Sequence, residues 1–193
     1  MIRPAPEWPL PSVFAHRCGG ALAPENTLAG LRMAASMGIR AVEFDVMLSA
    51  DGSPWLIHDE TLERTTTGVG RVCDTADAVL QHLDAGAHQH RAFAGEALPT
   101  FTAAAAGCRE LGLLANVEIK PAAGFEARTG EVVARHLVDL WQGAPPPLVS
   151  SFSEVALAAA RRVAPQLPLA FLCVRPPVDW QQRLAAVDGF SLH

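Results

Sequence analysis

The sequence predicts a single α/β domain, a mostly parallel sheet covered by helices, and three observations point to it. Short β-forming runs alternate with stretches of helical periodicity along nearly the whole chain, the pattern of successive β/α units. Seven such runs can be counted, near 13–17, 42–47, 55–58, 115–120, 148–152, 169–174 and 189–193, one short of the eight that close a (β/α)8 barrel. Ionisable residues stand at the ends of several runs, where a barrel gathers its active site: His16, Glu43, Asp45, His58, Glu118 and Lys120. A chain of 193 residues with 50% hydrophobic content can bury one sizeable core, so one domain over 1–193 is expected.

Taken in order, residues 1–11 carry Pro4, Pro6, Pro9 and Pro11, which predicts a short extended lead-in and interrupts any apolar core of a signal peptide. The run at 13–17 opens onto Cys18-Gly19-Gly20, a loop that lets backbone approach a ligand. Residues 24–37 read as a helix: Pro24 and Glu25 suit a first turn, Leu28, Leu31 and Ala35 share a face, and Gly38 stops it. The next stretch, 42–59, is the most informative. Residues two apart in a strand share a face, so Glu43 and Asp45 point one way while Val42, Phe44 and Val46 point the other. The link from Leu48 to Pro54 is too short for a parallel crossover, which predicts a hairpin turning at Asp51-Gly52 and setting Asp45 opposite His58.

Residues 60–99 are polar, with little sustained periodicity beyond a short helix near 77–83, and read as a lid or small insertion. Thr100 can cap a helix carrying Phe101, Ala104, Ala105, Cys108 and Leu111, stopped at Gly112. In 116–120 Asn116, Glu118 and Lys120 alternate with Val117 and Ile119, a polar face that would meet either a site or, in an antiparallel sheet, solvent. A helix at 132–141, one starting at Ser153 and ending before Pro165, and one at 179–187 separate the remaining strands.

Composition excludes several classes of function. The net charge of −5, with no run of Lys or Arg, argues against a nucleic-acid or anionic-membrane surface. No window approaches the roughly 18 apolar residues of a membrane span. Cys18, Cys73, Cys108 and Cys173 are scattered without a C-x-x-C pair, which predicts reduced thiols and a cytoplasmic location.

Three carboxylates, Glu43, Asp45 and Glu118, offer oxygen ligands of the kind that hard cations such as Mg2+ or Ca2+ take. With one divalent cation they leave a net −1; a phosphodiester adds another −1, and Arg17 with Lys120 neutralises both. His16 and His58 remain for proton transfer to and from the reacting oxygens. Taken singly, each pattern has a plainer reading: E-x-D as a solvated edge, E-x-K as a surface ion pair, H-R as packing. His88 and His90 read as an exposed loop pair, His82 and His136 as helix-surface residues, and Ser153 as a helix cap that leaves open whether a hydroxyl of Ser151 or Ser153 enters the site.

The combined pattern is specific. His16-Arg17, A-P-E-N-T at 23–27, Glu43-x-Asp45, D-G-x-P-x-x-x-H-D at 51–59, L-E-R-T-T at 62–66, G-E-x-L-P at 95–99 and V-E-I-K-P at 117–121 resemble, in order and spacing, the glycerophosphodiester phosphodiesterase family, in particular its bacterial cytosolic branch. The resemblance implies a (β/α)8 barrel with 60–99 as its insertion, and hydrolysis of glycerophosphodiesters such as glycerophosphocholine or glycerophosphoethanolamine to sn-glycerol 3-phosphate and an alcohol. It implies Glu43, Asp45 and Glu118 as ligands of one Mg2+ or Ca2+, His16 and His58 as the acid/base pair, and Arg17 and Lys120 as phosphate contacts. Cys18 stands where the family usually has glycine, so a positive φ there would be strained. The family continues beyond the segment ending at His193 into a further strand and helix; an unclosed barrel edge would favour pairing with a second copy. A catalytically silent, ligand-binding barrel and a phosphodiesterase acting on lysophospholipids are the alternative expectations.

Overall fold

The computed structural model describes residues 10–193; the lead-in expected at 1–11 lies almost wholly outside them. The elements, in chain order, begin with α1 (Leu28–Ser36), β1 (Ala41–Leu48), β2 (Pro54–Leu56), α2 (Asp77–Leu80) and α3 (Phe101–Glu110). They continue with β3 (Leu114–Ile119), α4 (Glu126–Leu140), β4 (Leu148–Ser151), α5 (Glu154–Val163), β5 (Leu169–Phe171), α6 (Trp180–Ala186) and β6 (Ser191–Leu192). They form one sheet in the order β2-β1-β3-β4-β5-β6, in which every neighbouring pair is parallel except β1 with β2. Parallel staves in sequence order with a helix after each are the repeating unit of a (β/α)8 barrel.

Five expectations need correction, the first being that the helix expected at 132–141 already starts at Glu126. The strand expected at 13–17 is a single parallel bridge, Ala15 to Val42, held by the Ala15 amide on the Ala41 carbonyl and the Glu43 amide on the Ala15 carbonyl, each 2.9 Å. It is cut short because Arg17 and Cys18 turn into left-handed backbone, φ 50° and 71°, where an extended run cannot continue. The segment near 55–58 is the antiparallel arm of the hairpin, not a stave, so it does not count toward barrel closure. The hairpin register is one residue off the expectation. A three-residue loop, Ala50-Asp51-Gly52, closes on Ser49 and Ser53 with Gly52 at φ 84°, so Val46 pairs Leu56 and the Ile57 amide reaches the Asp45 carbonyl. Asp45 therefore lies opposite Ile57, and His58 falls just past the ladder. Finally, α1 starts at Leu28: Thr27 is its cap, accepting from the Gly30 amide at 3.2 Å, and Pro24 to Asn26 form the turn before it.

The solvent alternative for the polar face of 116–120 is excluded, since β3 is a buried, parallel strand between β1 and β4. The main core lies on the helix side of the sheet, where Val42, Phe44 and Val46 meet Leu31, Phe101, Val117, Val133 and Leu157. The Phe101 ring sits 6.2 Å from Phe44 and 5.9 Å from Trp141, centroid to centroid, and burying an aromatic of this size contributes about 1.5–3 kcal/mol. Gly130 lets α4 lie directly on α5, because a Cβ there would collide with the Ala156 carbonyl.

Residues 60–99 carry a small core of their own. Leu62, Val72, Leu80, Ala85 and Leu98 pack on Met47, Trp55 and Ile57, so it is seated on the end of the hairpin. The Trp55 indole N–H donates to Asp77 Oδ1 at 2.8 Å and anchors α2 there.

Candidate active site

Strand periodicity turns Glu43 and Asp45 away from the helices, and parallel pairing sets Glu43 beside Asn116 and Asp45 beside Glu118. The result is a buried acidic cluster: one carboxylate oxygen from each of Glu43, Asp45 and Glu118 lies within 4.8 Å of the others. Asp45 is 1% exposed and is fixed by Asn26, whose side-chain N–H donates to Asp45 Oδ2 at 2.8 Å while its carbonyl accepts the Asp45 amide at 3.0 Å. Asn26 takes φ 56°, a conformation asparagine tolerates better than most residues.

Glu43 and Glu118 are less well satisfied. The Arg17 amide donates to Glu43 Oε2 at 2.9 Å, but Glu43 Oε1 is buried with no hydrogen bond. Glu118 Oε1 lies 2.9 Å from Lys120 Nζ, close enough for an ion pair but out of line for a hydrogen bond. Burial, reinforced by Asp45 and Glu118, pushes the Glu43 carboxyl up to about 8, and burial also raises Glu118. Removing carboxylates from water with too few donors to replace it is costly, and three carboxylate oxygens this close together fit the oxygen-ligand set of a hard divalent cation.

Two cations flank the cluster. Arg17 Nε and Lys120 Nζ each lie 3.8 Å from Asp45, and Arg17 Nε is buried without a hydrogen-bond acceptor. Lys120 Nζ also sits 5.5 Å from the centroid of the half-exposed Phe152 ring. His16 is solvent-facing, its Nε2 3.8 Å from Glu43 Oε2. His58 reaches the rim through Asp59, with Nδ1 and Oδ1 2.6 Å apart. All seven residues singled out in the sequence, His16, Arg17, Glu43, Asp45, His58, Glu118 and Lys120, thus carry side chains at the strand ends around this cluster or on its rim.

Sequence reasoning missed a chain of charges around the rim. Arg64 grips Asp59 through Nε (2.5 Å to Oδ2) and Nη2 (3.1 Å to Oδ1), and grips Glu25 through two bonds of 2.8 Å. Glu25 in turn takes Arg17 Nη1 on both oxygens, at 3.0 and 3.1 Å. Arg64, followed by His58, holds the Asp59 carboxyl far below the usual carboxylate range; at Glu25 burial is outweighed by Arg64 and Arg17, which hold it low. Asn26, Glu25, Asp59 and Arg64 all belong to the stretches 23–27, 51–59 and 62–66, but nothing in their spacing says that residues 25 and 64 meet.

Other candidates resolve plainly. Ser151 Oγ donates to the Ile119 carbonyl and Ser153 caps α5, so neither hydroxyl is aimed at the cluster. His82, His88 and His90 are exposed. His136 is half-buried and bonds the Val132 carbonyl within its own helix. All four cysteines are free. Cys18 is fully buried at φ 71°, the strained backbone that a side chain there entails, and burial drives its thiol pKa well up. Among the described residues no helix is long and apolar enough to cross a membrane.

Residues 16–193 match the Glycerophosphoryl diester phosphodiesterase family. A glycerophosphodiester phosphodiesterase of Caldanaerobacter subterraneus is 32% identical over 185 residues, 94% of this chain and 74% of that protein. Human glycerophosphodiester phosphodiesterase 1 is 42% identical over 112 residues, 56% of this chain and 34% of that protein. Among solved structures, an Oleispira antarctica phosphodiesterase in complex with sn-glycerol-3-phosphate superposes with a TM-score of 0.91 at 40% identity, over 95% of this chain and 74% of that one.

Proposed function

Because the chain belongs to the glycerophosphoryl diester phosphodiesterase family, we propose that it hydrolyses small glycerophosphodiesters, such as glycerophosphocholine and glycerophosphoethanolamine, to sn-glycerol 3-phosphate and an alcohol. One observation carries the reading: three buried carboxylates converge between an arginine and a lysine, and two of them keep an oxygen without a hydrogen bond. In this reading Glu43, Asp45 and Glu118 hold one Mg2+ or Ca2+, which when bound offsets charge growing on the phosphoryl oxygens. Arg17 and Lys120 orient the phosphate, the former with a buried Nε–H that has no acceptor of its own. His16 and His58 exchange protons with the attacking and leaving oxygens, the work imidazoles do near neutral pH.

The alcohol would leave along a groove of about 380 Å³ lined by Glu118, Lys120, Phe152, Glu60 and Glu126. A lysine, an aromatic ring and the acids Glu60 and Glu126 in one groove suit a zwitterionic diester with a cationic alcohol. A cytoplasmic location is supported by four free cysteines.

The decisive experiment is a coupled sn-glycerol 3-phosphate assay on glycerophosphocholine and on a lysophospholipid, with EDTA and then with Mg2+ or Ca2+ restored, against a Glu43→Ala control. Turnover of the small diester that EDTA abolishes, metal restores and Glu43→Ala lacks is the expected result. A folded protein with no turnover would make the chain a silent binding barrel, and preference for the lysophospholipid would shift its substrate class.

A further inference from the structure

We infer that Arg64 is a positioning residue that couples the two halves of the reaction, holding the proton-transferring His58 and the phosphate-binding Arg17 in mutual register through two carboxylates; the inference rests on the functional reading above. Arg64 lies 39 residues from Glu25 in sequence and comes from residues 60–99, yet its planar guanidinium is divided between two acids. On one side it fixes Asp59, which meets His58 Nδ1 at 2.6 Å. On the other it fixes Glu25, which clamps Arg17 Nη1 with both oxygens.

The chemistry of the links explains what each does. A carboxylate on Nδ1 selects the imidazole tautomer that leaves Nε2 free, and sets the ring plane; an Asp59 that swung away would release both. A carboxylate on one Nη of Arg17 restricts where the rest of that guanidinium points, leaving its buried Nε–H to the site. Neither acid could serve both ends alone. Arg64 makes them one unit because two forked, charge-assisted contacts are satisfied by one rigid plane, a geometry that lysine, a single mobile point charge, cannot reproduce. The half-exposed position of Arg64, with its side chain 46% accessible, leaves the unit open to solvent on its outer side.

The test uses the 193-residue chain with saturating metal and glycerophosphocholine, comparing Asp59→Asn, Glu25→Gln, Arg64→Met and Arg64→Lys. Arg64→Met and Arg64→Lys should each lose about 10–100-fold in kcat/KM, the usual cost of removing a residue that orients a functional group. The loss should divide: Asp59→Asn lowers kcat, Glu25→Gln raises KM, and the arginine variants do both. Arg64→Met combined with Asp59→Asn should have a kcat no lower than Arg64→Met alone, because both cut the same link. Guanidinium ion added to Arg64→Ala should recover part of the lost kcat through the open outer side. Wild-type activity in both arginine variants would overturn the inference. So would full rescue by Arg64→Lys, or kcat losses for Asp59 and Arg64 that multiply. Should Arg64→Met not fold, the lysine variant decides alone. An inactive wild-type protein would instead overturn the functional reading itself.

Discussion

The acidic cluster and the rim beside it are built from the same residue types to opposite ends. Around Arg64 every carboxylate is matched: Asp59 and Glu25 are held ionised by arginines, and each uses both oxygens. In the cluster further in, Glu43 keeps a buried oxygen with no hydrogen bond and Glu118 Oε1 has only the Lys120 ammonium beside it, and both carboxyls are pushed toward the neutral form. The difference separates two jobs that acids do in active sites. Matched acids hold positions, and mismatched acids keep ligand sites open at a cost in stability.

The largest expected effect comes from breaking the mismatched side. Glu43→Gln should abolish EDTA-reversible turnover, yet the metal-free protein should be as stable as wild type or more so, since a neutral amide replaces a carboxylate that burial disfavours. Glu25→Gln, on the matched side, should move stability the other way, losing about 1.5–3 kcal/mol as charged hydrogen bonds are weakened; urea unfolding of the two variants in EDTA reads both signs. Next in size, His58→Ala and His16→Ala should each lower kcat by about 10²–10⁴ with metal affinity retained, measured by steady-state kinetics and metal titration.

Proton linkage sharpens the contrast further. Glu43 titrates near 8 in the folded protein against 4.5 as its ordinary value, so between those values the folded state holds the extra proton and stability falls as pH rises. Metal-free protein should therefore show a declining urea midpoint from pH 5 to 8, and saturating Mg2+ or Ca2+ should flatten that decline by replacing the proton. Glu25, held low, has the opposite sign: its contribution is present above its ordinary value and is lost as pH falls through its depressed one. The smallest effect is expected at Cys18→Gly. Relief of backbone at φ 71° offsets the loss of a fully buried thiol, so the unfolding free energy should stay within about 1 kcal/mol of wild type.

What the sequence showed and what it hid follow from range. The face shared by Glu43 and Asp45, and the one shared by Glu118 and Lys120, are set by strand periodicity, a local property readable from neighbours. The hairpin register was not, because a loop at Asp51-Gly52 can hold two or three residues and the choice of Ala50-Asp51-Gly52 moved His58 past the ladder. The strand at 13–17 failed for a related reason: Val13 to Arg17 looks extended, but the left-handed turn that ends it is imposed by the amides of Arg17 and Cys18 reaching for Glu43. Glu25 read as a first-turn helix residue because its real partners, Arg17 and Arg64, are tertiary.

The hairpin that carries Asp45 belongs to two cores at once: Val46 and Leu56 face the helices, while Met47, Trp55 and Ile57 are buried under residues 60–99. The stretch that covers those three anchors is also tied to α1, where Glu96 accepts the Ala29 amide in the first turn of the helix. Arg64 is where this stretch reaches the rim of the site, so drift in that loop would be felt as lost turnover as well as lost packing.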